Sequence, residues 1–103
     1  MKYFVKEITS ACILEVMAGT NCPMGGDSGH GGQTEIMLRD LGGTDMRVFV
    51  KDSDGKKHHF NDIDSVELFF GGDCECENLI EALEFALDKI KKIYNANRKQ
   101  DNQ

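Results

Sequence analysis

The sequence predicts an α+β fold: an antiparallel sheet of five to six strands with one long C-terminal helix packed on one face. Three observations lead there. Apolar and polar residues alternate through most of the first seventy positions, glycine-rich turns punctuate them, and a single 3.6-residue period takes over after Gly71-Gly72. Residues 3–8 and 11–18 read as the first two strands, the second setting Cys12, Leu14 and Val16 against Ile13, Glu15 and Met17. Residues 35–41 form a third, with Ile36 and Leu38 on one side and Met37 and Arg39 on the other. After the turn Gly42-Gly43-Thr44-Asp45, residues 46–52 alternate again. Asp52-Ser53-Asp54-Gly55 is then a hairpin turn, because Asp-Gly suits positive φ. A short strand at 57–61 pairs back, and residues 65–70 close the sheet.

Asp73 is placed as the N-cap of a helix over 75–95. Leu79, Ile80, Leu83, Ala86, Leu87, Ile90, Ile93 and Tyr94 share one broad stripe at about 100° per residue. Glu77, Glu81, Glu84 and Asp88, with Lys89, Lys91 and Lys92, form the solvated side, acidic first and basic last as the helix dipole favours. Phe85 falls outside the stripe. The expected organisation is one α+β domain over 1–95 and a frayed polar tail over 96–103. One helix cannot cover both faces of a sheet. Ile13, Met17, Met37, Phe49 and Phe69 are expected on the second face, which calls either for a sheet curled over itself into a half-barrel or for a homo-oligomer, with Phe85 adding to the contact; the homo-oligomer is the favoured expectation.

Residues 19–32 hold six of the eleven glycines and the only proline. Glycine adds nothing to a core and loses the most entropy on ordering, so a long glycine-rich connection needs another reason to exist. Backbone N–H groups in such loops can surround a phosphate or carboxylate without a nucleotide-binding signature. The candidate ligand-binding set is Asn21, Gly25, Gly26, Asp27, Ser28, Gly29, His30 and Gly31, with Arg39 and Arg47 as cations for an anionic ligand. Ser28 and His30 would donate to the anion; Asp27 or Asn21 would hold a hydroxyl or a base edge.

Catalytic readings of the same loop fail on spacing. Gly26-Asp27-Ser28-Gly29 matches the tetrapeptide around the nucleophile of trypsin-like proteases, but no histidine precedes Ser28 and the chain is less than half the length that fold needs. Gly-x-Ser-x-Gly would require glycine at His30, and the Gly-Lys-Ser/Thr ending of a P-loop is missing. No enzyme is expected, and no cofactor. A thiolate zinc site from Cys22, His30, Cys74 and Cys76 is a chemically allowed ligand set, but Cys74-Glu75-Cys76 departs from the usual Cys-x₂₋₄-Cys spacing and puts the two thiols on different helix sides. His58 and His59 lie on opposite strand faces. Asp52-x-Asp54-Gly55 lacks the further ligands of a calcium loop.

A net charge of −6 argues against nucleic acid or an anionic membrane as the main partner, since both need clustered basic residues. Basic residues cluster locally at Lys56-Lys57-His58-His59 and over 89–92, but acidic neighbours dilute both groups. No apolar run reaches the roughly 18 residues of a membrane span, and the N-terminus carries no apolar targeting stretch. A cytoplasmic protein is expected, with four free thiols.

Asn21 through Gly32, Gly42-Gly43-Thr44-Asp45-Met46 and Gly71-Gly72-Asp73 resemble segments of small bacteriophage-encoded proteins. Such proteins include sponges, oligomers that sequester a nucleotide-derived immune signal without cleaving it. By analogy the resemblance implies a non-enzymatic, anti-defence binder of a phosphorylated, nucleotide-like ligand in the cytoplasm of a host bacterium. The alternatives left open are an acidic inhibitor that binds a host protein and a small zinc-binding module.

Overall fold

The computed structural model describes residues 1–27 and 29–101. In chain order the elements are β1 (Lys2–Thr9), β2 (Ile13–Thr20), β3 (Gln33–Gly42), β4 (Val48–Lys51), β5 (Lys57–Phe60), β6 (Ser65–Gly71) and α1 (Asp73–Asp101). The class is α+β, as the alternating segments predict. The strands divide, however, into a four-stranded antiparallel sheet, ordered β1-β2-β3-β6, and a separate β4-β5 hairpin.

Strand register gives the main sheet two distinct faces. Phe4, Ala18, Ile36 and Leu68 form one row across it, followed by Lys6, Val16, Leu38 and Val66. Tyr3, Gly19, Glu35 and Phe69 form a row on the opposite face, beside Val5, Met17, Met37 and Glu67. Met17, Met37 and Phe69 thus share the second face as expected, whereas Phe49 belongs to the hairpin. The Tyr3 ring lies where a Cβ on Gly19 would be, and its hydroxyl donates to Glu35 Oε2 at 3.0 Å. That bond to a carboxylate pushes the phenol pKa of Tyr3 up.

Turn chemistry follows the sequence closely. Asp52 Oδ1 accepts from the N–H groups of Asp54 (3.0 Å) and Lys56 (2.9 Å), and the Gly55 N–H closes on the Asp52 carbonyl at 3.0 Å. Asp40 Oδ1 accepts from Gly42 (2.8 Å) and Thr44 (3.0 Å), bracing the turn after β3. Short polar side chains satisfy backbone donors there that no strand partner reaches.

The helix departs from expectation in extent and in packing. It begins at Asp73 and runs to Asp101, so residues 96–101 of the expected tail are helical; Asn102 and Gln103 lie outside the described residues. Only its first turns meet the sheet. Cys76, Leu79, Ile80 and Leu83 face Phe4, Ala18, Thr34 and Ile36 across an open groove of about 250 Å³. Beyond Leu83 the helix carries its apolar stripe away from the sheet, and Ile90 and Ile93 are 65% and 61% exposed. Cys76 is the one apolar side chain buried among the described residues. The radius of gyration of 16.4 Å exceeds the roughly 13 Å of a compact chain this long.

Candidate functional site

The glycine loop, residues 21–32, links β2 to β3 and is drawn onto the start of α1. Asp73, the first residue of the helix, places its carboxylate among the loop's amides. Met24 N–H donates to both its oxygens at 3.0 Å, Gly25 N–H donates to Oδ2, and Gly32 N–H donates to Oδ1 at 3.1 Å. The contact is reciprocal, since Asp73 N–H donates to the Gly26 carbonyl at 2.8 Å. Asp27 Oδ1 accepts from Cys74 N–H at 2.6 Å, a side-chain acceptor for one of the helix's unsatisfied first-turn donors.

The strands on either side are tied in as well. Gly29 N–H donates to the Gly71 carbonyl at 2.8 Å and Gly72 N–H to Gly32 at 2.7 Å, while Asn21 Oδ1 accepts from Gln33 N–H at 2.7 Å. Glycine is required where the loop doubles back. Gly31 has φ +97°, and a Cβ there would strike the backbone of Gly26.

The loop therefore has the anion-binding geometry its composition suggests, and the anion held is the chain's own carboxylate. Donation from Met24 and Gly25, then from Gly32 and the Cys22 thiol, keeps the Asp73 carboxyl below the usual carboxylate range despite some desolvation. Asn21 and Asp27 brace backbone. His30 is exposed, with its N–H on the Asp27 carbonyl at 3.1 Å. Ser28 lies outside the described residues.

The two expected cations are not brought to the loop. Arg39 sits six residues along β3 from Gln33, about 20 Å away by strand rise. It pairs with Glu15 at 2.8 Å, and its buried Nε has no hydrogen-bond partner among the described residues. Arg47 forks onto Asp45, Nε to Oδ1 at 3.2 Å and Nη2 to Oδ2 at 3.1 Å.

Among the suggested zinc ligands the structure groups only two. Cys22 Sγ lies 3.6 Å from Thr34 Oγ1 and Cys76 Sγ 3.7 Å from Thr20 Oγ1, with the two threonine hydroxyls 2.8 Å apart. Hydrogen bonding from Thr34, then Thr20 and Cys22, pulls the Cys76 thiol pKa down against the effect of burial. Cys74 is exposed on another side of the helix, where its sulfur, Asp27 and Glu75 lie within 4.8 Å of one another. Among the described residues no three of Cys22, His30, Cys74 and Cys76 gather at that distance. All four cysteines are free.

A second constellation lies on the hairpin. Register pairs Phe49 with His59 and Lys51 with Lys57, so the four side chains share one face. The Phe49 and His59 rings meet edge to face with centroids 4.6 Å apart, and Phe49 is 66% exposed. Together with Val50 these residues line an open groove of about 250 Å³. Among the described residues neither lysine has a carboxylate at salt-bridge distance. His58 points the other way, to Asp52 Oδ2 at 3.3 Å. The sequence holds a usable signal for this face: period-2 alternation on both sides of the Asp-Gly turn aligns 49 and 51 with 59 and 57.

No helix among the described residues is long and apolar enough to cross a membrane. Comparisons with protein-family models, curated proteins and solved structures returned no match to this chain.

Proposed function

We propose that the chain is a non-enzymatic binding protein that works as a homo-oligomer and retains a phosphorylated, nucleotide-like molecule without cleaving it. The observation that carries this reading is the hairpin face, which sets two lysines, neither in a salt bridge among the described residues, beside an exposed aromatic pair. Ammonium groups attract phosphate oxygens, and an aromatic ring accepts a planar base by stacking. The glycine loop is assigned a bracing role, because its convergent amides already hold the Asp73 carboxylate. A ligand bound there would have to displace that carboxylate. Retention of an immune signal of the sponge type is the biological role that fits a binder of this kind.

Calorimetric titration against linear and cyclic nucleotides tests the proposal. Lys51→Glu with Lys57→Glu should weaken binding by about tenfold or more, since two attractions become repulsions. His30→Ala should leave affinity unchanged. If no phosphorylated compound binds the wild type, or the lysine variant binds as well, the reading fails. A basic protein captured through the acidic surface would then take its place.

A further inference from the structure

The exposed stripe of α1 has a direction built into it. Ile80, Leu83, Leu87, Ile90 and Tyr94 recur at alternating intervals of three and four residues, the pattern of a helix–helix seam. All five are among the exposed large apolar residues. The whole chain exposes 8069 Å², against about 5,800 Å² for a compact monomer of this mass. An excess of roughly 2,000 Å² per chain is on the scale that obligate interfaces hide.

Charge along the helix is segregated. Asp73, Glu75, Glu77, Glu81, Glu84 and Asp88 occupy the first sixteen positions with no basic residue among them, and Lys89, Lys91, Lys92, Arg98 and Lys99 follow, with Asp101 the one acidic residue in that second part. Parallel copies would set acidic half on acidic half; antiparallel copies set acidic on basic.

We propose that α1 is the homo-oligomer interface, docking antiparallel on α1 of a second copy. The second copy's Ile90, Ile93 and Tyr94 then cover Leu79, Leu83 and the open sheet row that includes Phe4 and Leu68. The apolar stripe supplies the attraction; the charge halves set the orientation. This inference rests on the homo-oligomeric part of the proposed function and is independent of the ligand.

The experiment combines sedimentation equilibrium with zero-length carbodiimide cross-linking of a mixture of ¹⁴N and ¹⁵N protein. The wild type should be at least dimeric at micromolar concentration. Mixed-isotope cross-links should join Glu77 or Glu81 of one copy to Lys92 or Lys99 of the other. Glu81→Lys with Glu84→Lys should weaken association by about tenfold, and adding Lys89→Glu with Lys92→Glu should restore it. A wild-type monomer would overturn both the oligomer and this interface. An oligomer with no such cross-links, or with association unaffected by Glu81→Lys and Glu84→Lys, overturns the antiparallel helix pairing alone.

Discussion

The two ends of α1 differ sharply in how far the chain satisfies itself. At the first turn, loop and helix cap each other: Asp73 gathers the amides of Met24, Gly25 and Gly32, Asp27 holds Cys74 N–H, and Cys76 is buried beneath. From Leu87 onward the helix keeps regular backbone bonding but leaves Ile90, Ile93 and Tyr94 more than half exposed. Polar backbone groups find partners within a few residues or across a loop, so one chain can complete them. Apolar side chains need a surface of comparable area, and this chain provides too little.

The most forceful way to break that contrast is to charge the stripe. Leu83→Asp with Ile90→Asp should reduce self-association by at least about a hundredfold, because central apolar contacts carry most interface energy. Helicity measured by circular dichroism should fall with it, since an isolated helix gains little stability from propensity alone. Retained association and helicity would place the interface elsewhere.

At the other end, Gly31→Val should cost about 1–3 kcal/mol from backbone strain alone, and more from its clash with Gly26. Chemical denaturation of the variant measures the loss. A neutral result would mean the loop is not held in this conformation.

Asp73 supplies an intermediate effect with a defined pH dependence. Its carboxyl sits lower in the folded chain than in the unfolded one, so its contribution is complete above the unfolded value and is lost as pH falls through the folded one. Amide exchange at Met24, Gly25 and Gly32, followed by NMR below about pH 4, should accelerate ahead of the sheet. Asp73→Asn should lower Tm by on the order of 5 °C near neutral pH and abolish this acid transition. A flat exchange profile would remove Asp73 as the loop's anchor. The smallest effect belongs to His30→Ala, with a Tm change of about 1 °C or less because the side chain is exposed.

Much of this architecture is legible in the residues. Period-2 alternation placed six strands close to their observed bounds, and Asp52 to Gly55 declared its turn, because those signals act over a few neighbouring positions. The stripe from Leu79 to Tyr94 announced the helix, and Gly71-Gly72-Asp73 its start. The candidate site was only half visible. Glycine content marked a loop able to surround an anion, but nothing local shows that Asp73, some forty residues onward, supplies the carboxylate. Arg39 and Arg47 suggested ligand contacts by charge alone, while strand register placed Arg39 on Glu15 and a local fork placed Arg47 on Asp45.

By itself, then, the sequence determined the elements, their turns and the amphipathic character of the helix, all set by backbone geometry and side-chain periodicity. Tertiary structure alone decided that β4 and β5 leave the main sheet, that the face shared by Phe49, His59, Lys51 and Lys57 is left open on that separate hairpin, and that α1 meets the sheet only through its first turns. Those outcomes depend on which surfaces compete for one another across the whole chain. Period and composition report what a face is made of, and only the folded arrangement determines what lies against it.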